Sequence, residues 1–115
     1  MGLNTDGLLD NRNQALCKMN LAKHGKTIQL IVLIEECAEL IKESSKTLRG
    51  QERPTKTREE LVDVIVMAEE LRLMIGLSMV EVNEMAAEKL TEALMKDGGD
   101  RDVHTEPKRD SFAEG

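Results

Sequence analysis

Two short stretches carry side chains able to gather a cation. One is Glu35-Glu36-Cys37-Ala38-Glu39; the other, after a gap of twenty residues, is Glu60-Leu61-Val62-Asp63. Each holds carboxylates three residues apart, and residues at i and i+3 share one face of a helix. Glu36 and Glu39 therefore point one way from one helix, and Glu60 and Asp63 one way from another. The apolar runs Ile31-Val32-Leu33-Ile34 and Val64-Ile65-Val66-Met67 draw both stretches toward an interior. Four carboxylates meeting in a partly dry place need a cation, because unpaired buried charge is costly. An all-oxygen donor set favours a hard ion, Mg²⁺ or Mn²⁺. A plainer reading stands beside this one. Glu-rich helices commonly turn such faces to water, and Thr57-Arg58-Glu59-Glu60 has the form of a capping box with Thr57 as N-cap and Glu60 at N3.

The elements that must position these groups are helical. A short amphipathic helix is expected from about Asn11 to Lys23, on the stripe Ala15, Leu16, Met19 and Ala22, with Gly25 placed to end it. A second helix, capped by Thr27, runs to about Leu48. Its first half is apolar all round, so a second subunit is expected to cover part of it. Arg49 to Lys56 reads as a loop. A third helix is expected from about Arg58 to Ile75, broken by Gly76, with apolar residues around most of its circumference. Ser78-Met79-Val80-Glu81 is another capping box, opening a fourth helix to about Lys96. The expected organisation is one all-α domain over residues 11–97, a loose lead-in over 1–10 and a disordered tail over 98–115 that contains His104 and Phe112.

Composition narrows the function classes. The chain has 115 residues, a net charge of −6, one Phe and no Tyr or Trp. Seven Met join Leu, Ile and Val as core formers. Without clustered Lys and Arg, or aromatics to stack on bases, a nucleic-acid partner is not expected. No CxxC, leader-like segment or apolar run of membrane-spanning length occurs, which makes a reducing cytoplasm the expected compartment and excludes a membrane partner. Neither His24 nor His104 completes a Glu-x-x-His pair, and there is no Gly-x-x-x-x-Gly-Lys-Ser/Thr phosphate loop.

Glu-Glu-x-x-Glu, twenty residues, then Glu-x-x-Asp resembles the signature of the MazG-type all-α nucleotide pyrophosphohydrolases. Gly25, Gln29, Leu40-Ile41-Lys42, Lys46, Arg49-Gly50 and Glu59 to Val64 agree with members of that family, over roughly Lys23 to Leu94. The resemblance implies a four-helix MazG-like bundle, and the all-round apolar start of the second helix implies its completion by oligomerisation, as a homodimer or homotetramer. It also implies Mg²⁺-dependent hydrolysis of an NTP or dNTP to monophosphate and pyrophosphate. Carried over by motif, Glu36, Glu39, Glu60 and Asp63 are the metal ligands, and Glu35 positions or deprotonates the attacking water.

Lys42 and Lys46 continue the Glu39 face and are candidates for phosphate contact, although a Glu39–Lys42 surface pair explains Lys42 equally simply. Gln29 is a candidate for facing the base, since an amide both donates and accepts. Lys89 resembles a substrate-binding lysine of the last helix, but Glu92 and Ala93 stand where relatives carry basic or amide residues. The competing expectation is a non-catalytic helical interaction module, or a nucleotide-binding one.

Overall fold

The computed structural model describes residues 7–96, and these are all-helical, with four helices and no strand. α1 spans Asn11–His24, α2 Lys26–Leu48, α3 Pro54–Ile75 and α4 Met79–Met95. The chain divides into two compact units, one ending at Glu81 and one starting at Val82. The first holds α1, α2 and α3; the second holds most of α4. The tail expected over 98–115, and the first six residues of the lead-in, lie outside the described residues.

Local chemistry accounts for most of the boundaries. Asp10 caps α1 through Oδ1, which accepts the N–H of Asn13 at 2.9 Å. Gly25, at φ 88°, ends α1 and starts α2, a backbone angle that L side chains resist. Thr27, expected as the cap of α2, lies inside it, because the glycine turn brings the helix start to Lys26. The Ser78–Glu81 box is formed: the Glu81 N–H donates to Ser78 Oγ at 3.1 Å, and the Ser78 N–H donates to Glu81 Oε1 at 3.0 Å.

The start of α3 corrects the sequence expectation. The helix begins at Pro54, not near Arg58. Proline is pre-organised for the first helical position and forgoes an N–H that would be unsatisfied there. Thr57 is therefore already helical, its N–H bonded to the Arg53 carbonyl at 2.9 Å, and no capping box involves Glu60.

α2 packs antiparallel along α3, and α1 rests against both. The seam between α2 and α3 is polar. On α2, Gln29, Glu36 and Glu43 recur every seven residues; on α3, Lys56, Asp63 and Glu70 do the same. Gln29 meets Glu70, Glu36 meets Asp63, and Glu43 is met by Arg53. Among the described residues the buried apolar side chains are Cys17 and Met67, whereas Gln29, Glu43, Glu60, Glu69, Glu70 and Arg72 are buried and polar. The apolar face of α2 points outward instead: Ile34 is 68 % and Ile41 69 % exposed, and Leu48 continues the same seven-residue step. On α3, Leu61, Val62 and Ile75 are exposed as well.

The end of the lead-in is held in place. The Leu9 N–H donates to Glu69 Oε2 at 3.3 Å, and Gln14 Nε2 donates to the Leu9 carbonyl at 2.9 Å. Gly7 passes so close to the Glu69 carboxylate and the Gln14 amide that a Cβ would collide with both.

Candidate metal centre

The middle of the α2–α3 seam brings together Glu36, Glu60 and Asp63. One carboxylate oxygen of each lies within 4.8 Å of the others. The antiparallel pairing explains this: Glu60 and Asp63 share a face of α3 one turn apart, and Glu36 faces them from α2. Glu60 is 4 % exposed, Glu36 is half-buried and Asp63 opens to solvent. The cluster thus has a dry floor and an open mouth.

Its electrostatics are strained. Burial, followed by the charges of Asp63 and Glu60, pushes the Glu36 carboxyl above its ordinary value, with smaller contributions from a hydrogen bond to Asp63 and from the charge of Glu39. Glu60 Oε2 is paired with Lys56 Nζ at 2.9 Å. That hydrogen bond, and the charge behind it, raise the Lys56 ammonium above its ordinary value. Glu60 Oε1 is buried and has no hydrogen-bond partner.

Glu39 sits one turn beyond Glu36, half-buried and near enough to influence it, but outside the close triad. Glu35 is exposed beside the cluster. Lys42 is exposed and Lys46 half-buried on the following turns of α2. Lys89 lies on α4, in the second unit. Gln29 is buried, and its Nε2 donates to Glu70 Oε1 at 2.6 Å, so its amide nitrogen is committed to another side chain.

The seam residues on either side are provided for differently. Glu43 accepts from both Arg53 Nη2 and Arg53 Nε, the latter at 3.3 Å. The arginine hydrogen bond lowers the Glu43 carboxyl against the opposing effect of burial. Burial likewise pushes Glu69 up, but Arg72 and the N–H groups of Leu9 and Leu8 outweigh it and hold Glu69 low. Cys17, buried and near Glu70 and Glu69, has its thiol pushed up to about 11, which removes it as a nucleophile at neutral pH.

Sequence reasoning missed two groups. Lys56 stands at i−4 from Glu60, a spacing visible in the sequence but lost when that residue is read as loop. Asn20 and Glu70 meet across fifty residues, and no local pattern announces such a pair. No protein-family model, curated protein or solved structure matches the chain.

Proposed function

We propose that the chain is a Mg²⁺-dependent nucleoside triphosphate pyrophosphohydrolase of the type its motifs resemble, converting an NTP or dNTP to the monophosphate and pyrophosphate. The observation that carries this reading is the convergence of Glu36, Glu60 and Asp63 around a buried, unpartnered Glu60 Oε1. The donor set fits a hard divalent ion, with Mn²⁺ as a substitute: it is all oxygen, it is short of positive charge, and the raised Glu36 value registers that shortage. Glu36, Glu60 and Asp63 would hold the ion, with Glu39 joining from the next turn. Bound there, Mg²⁺ supplies neutralisation of phosphate charge and a more acidic water.

The chain's own groups divide the remaining work. Exposed Glu35 takes a proton from the water that attacks the α phosphorus. A new P–O bond forms, the bond from the α phosphorus to its bridging oxygen breaks, and pyrophosphate leaves with that oxygen. Lys42 and Lys46 meet the phosphates as point charges. With Mg²⁺ and a panel of NTPs and dNTPs, pyrophosphate and monophosphate should appear in equal amounts, and chelator should stop the reaction. In ¹⁸O-water the label should enter the monophosphate. Label in pyrophosphate, or release of orthophosphate alone, would overturn this assignment.

The reading includes assembly as a homodimer or homotetramer. Its support is the exposed stripe of Ile34, Ile41 and Leu48 on α2, an apolar face unusual on a monomer's surface. Light scattering of the full chain at micromolar concentration tests it, and a stable monomer would refute it.

A further inference from the structure

Beside the carboxylate cluster a groove of about 750 Å³ runs between α1 and α3, walled by Leu16, Met19, Val62 and Val66. Glu70 lies at its floor, 1 % exposed. Its Oε1 accepts from Gln29 Nε2 at 2.6 Å and its Oε2 from Asn20 Nδ2 at 3.1 Å. Asn20 thus gives the amino end of its amide to Glu70, which leaves its Oδ1 to accept from another group. Asn20 is exposed and lines the groove. The groove therefore offers aliphatic walls, the polar side chains of Asn13 and Lys23, and an Asn20 amide whose orientation is set from beneath. It begins at Val62, the neighbour of Asp63, and seven residues of helix, about 10 Å, separate Asp63 from Glu70. A nucleotide spans such a distance from its phosphates to the far edge of its base.

We propose that this groove receives the base and sugar of the nucleotide, and that Asn20 Oδ1, held by Glu70, accepts a hydrogen bond from an exocyclic amino group on the base. The proposal rests on the hydrolase reading for the placement of the phosphates. It makes cytosine preferred over uracil and adenine over hypoxanthine, since each disfavoured base presents a carbonyl oxygen where its partner presents an amino group. An acceptor facing an acceptor leaves both without a partner. The absence of Trp and Tyr is no obstacle, because the branched and thioether side chains of the walls can flank a flat ring on both faces.

The test uses the full-length protein with Mg²⁺ and the α,β-methylene analogues of CTP and UTP, which resist cleavage at the bond in question. Methyl NMR should show shifts at Leu16, Met19, Val62 and Val66. The cytidine analogue should bind about fivefold more tightly than the uridine analogue, and Asn20→Leu should bring the two within about twofold. Asn20→Leu also removes the donor to Glu70 Oε2, so the comparison is repeated with Glu70→Gln added, which leaves no buried charge unmet, and the backbone NMR spectrum checks the fold of both variants. Binding whose shifts avoid the groove overturns the proposal, as does a cytidine preference that survives Asn20→Leu. So do groove shifts that follow protein concentration without nucleotide, which would make this face a contact between copies. Failure of the hydrolase reading is separately visible: no NTP is cleaved, while the analogues still bind in the groove with the stated preference.

Discussion

Glu69 and Glu60 lie nine residues apart on α3 and are both buried, yet their surroundings differ. Glu69 Oε1 accepts from Arg72 Nε at 2.6 Å, and Glu69 Oε2 from Arg72 Nη2 at 3.2 Å and from the Leu9 N–H. Arg72 in turn donates to the Leu77 carbonyl at 2.7 Å. Glu60 has Lys56 on one oxygen, nothing on the other, and two further carboxylates in front of it. A buried carboxylate is tolerated when its lone pairs are met, and is expensive when they are not. Elsewhere on the seam the chain supplies the counterpart itself, an arginine for Glu43 and amides for Glu70. Only at the Glu36–Glu60–Asp63 level, among the described residues, does it leave a buried carboxylate oxygen unmet. That contrast between a closed arrangement and an open one is the ground for the proposed ion site.

The largest effect is expected on the closed side. Arg72→Ala strands Glu69 in a dry site and should cost about 3–5 kcal/mol in urea denaturation. Adding Glu69→Gln to Arg72→Met should recover most of that loss. A cost below about 1 kcal/mol would mean that Glu69 behaves as a surface residue and would break the comparison from that side.

On the open side, removing a carboxylate should harm activity and spare the fold. Glu60→Gln and Asp63→Asn should each lower hydrolysis by more than about a hundredfold, beyond what loss of a mere supporting partner of a metal site costs. In chelator their melting temperatures should equal or exceed that of the parent chain, because a repulsive charge is gone. The rise that Mg²⁺ induces by ligand linkage should largely vanish. An active Glu60→Gln with a normal Mg²⁺ response would reduce Glu60 to a partner of Lys56.

The smallest effect is in the pH dependence, where the two sides have opposite signs. Glu43 and Glu69 titrate below the ordinary carboxylate value of 4.5. Their contribution is complete above that value and is lost as pH falls through their lowered ones. Glu36 titrates above 4.5, so its ionisation counts against the folded state. Chelated protein should lose stability as pH rises from 4.5 through the raised Glu36 value, and Glu36→Gln should remove that loss. Chemical denaturation at a series of pH values measures both arms. An identical alkaline arm in parent and variant would show that the three carboxylates do not interact.

The features legible in the sequence were local ones. Gly25, Gly76 and the Ser78–Glu81 box announce helix ends through residues adjacent in the chain, and the structure uses all of them. The i, i+3 spacing of Glu60 and Asp63 likewise survives as a shared face. Where two local signals competed, at Pro54 and Thr57, the stronger start won and the helix gained a turn. Partners that meet through space left no trace: Gln29 and Glu70, Asn20 and Glu70, Leu9 and Glu69. The apolar pattern of α2 and α3 was plain, but not its direction. In a single chain the seam is polar and much of the aliphatic surface faces outward, because the helices meet along their Gln, Glu and Asp positions.

The clasp between Leu9 and Glu69 has a consequence for the order of assembly. It closes a span of sixty residues, whereas α2 and α3 are joined by a loop of five, residues 49–53. Short loops close at lower entropic cost than long ones, so the α2–α3 hairpin forms early and the clasp late. On the ribosome, residues 7–10 emerge before α1, α2 and α3, yet the Leu9 N–H has no acceptor until Glu69 has been synthesised. A segment made before the helices thus settles after them, and the Leu9 amide becomes a reporter of completion: its protection from hydrogen exchange should be acquired after that of the α2 and α3 backbones.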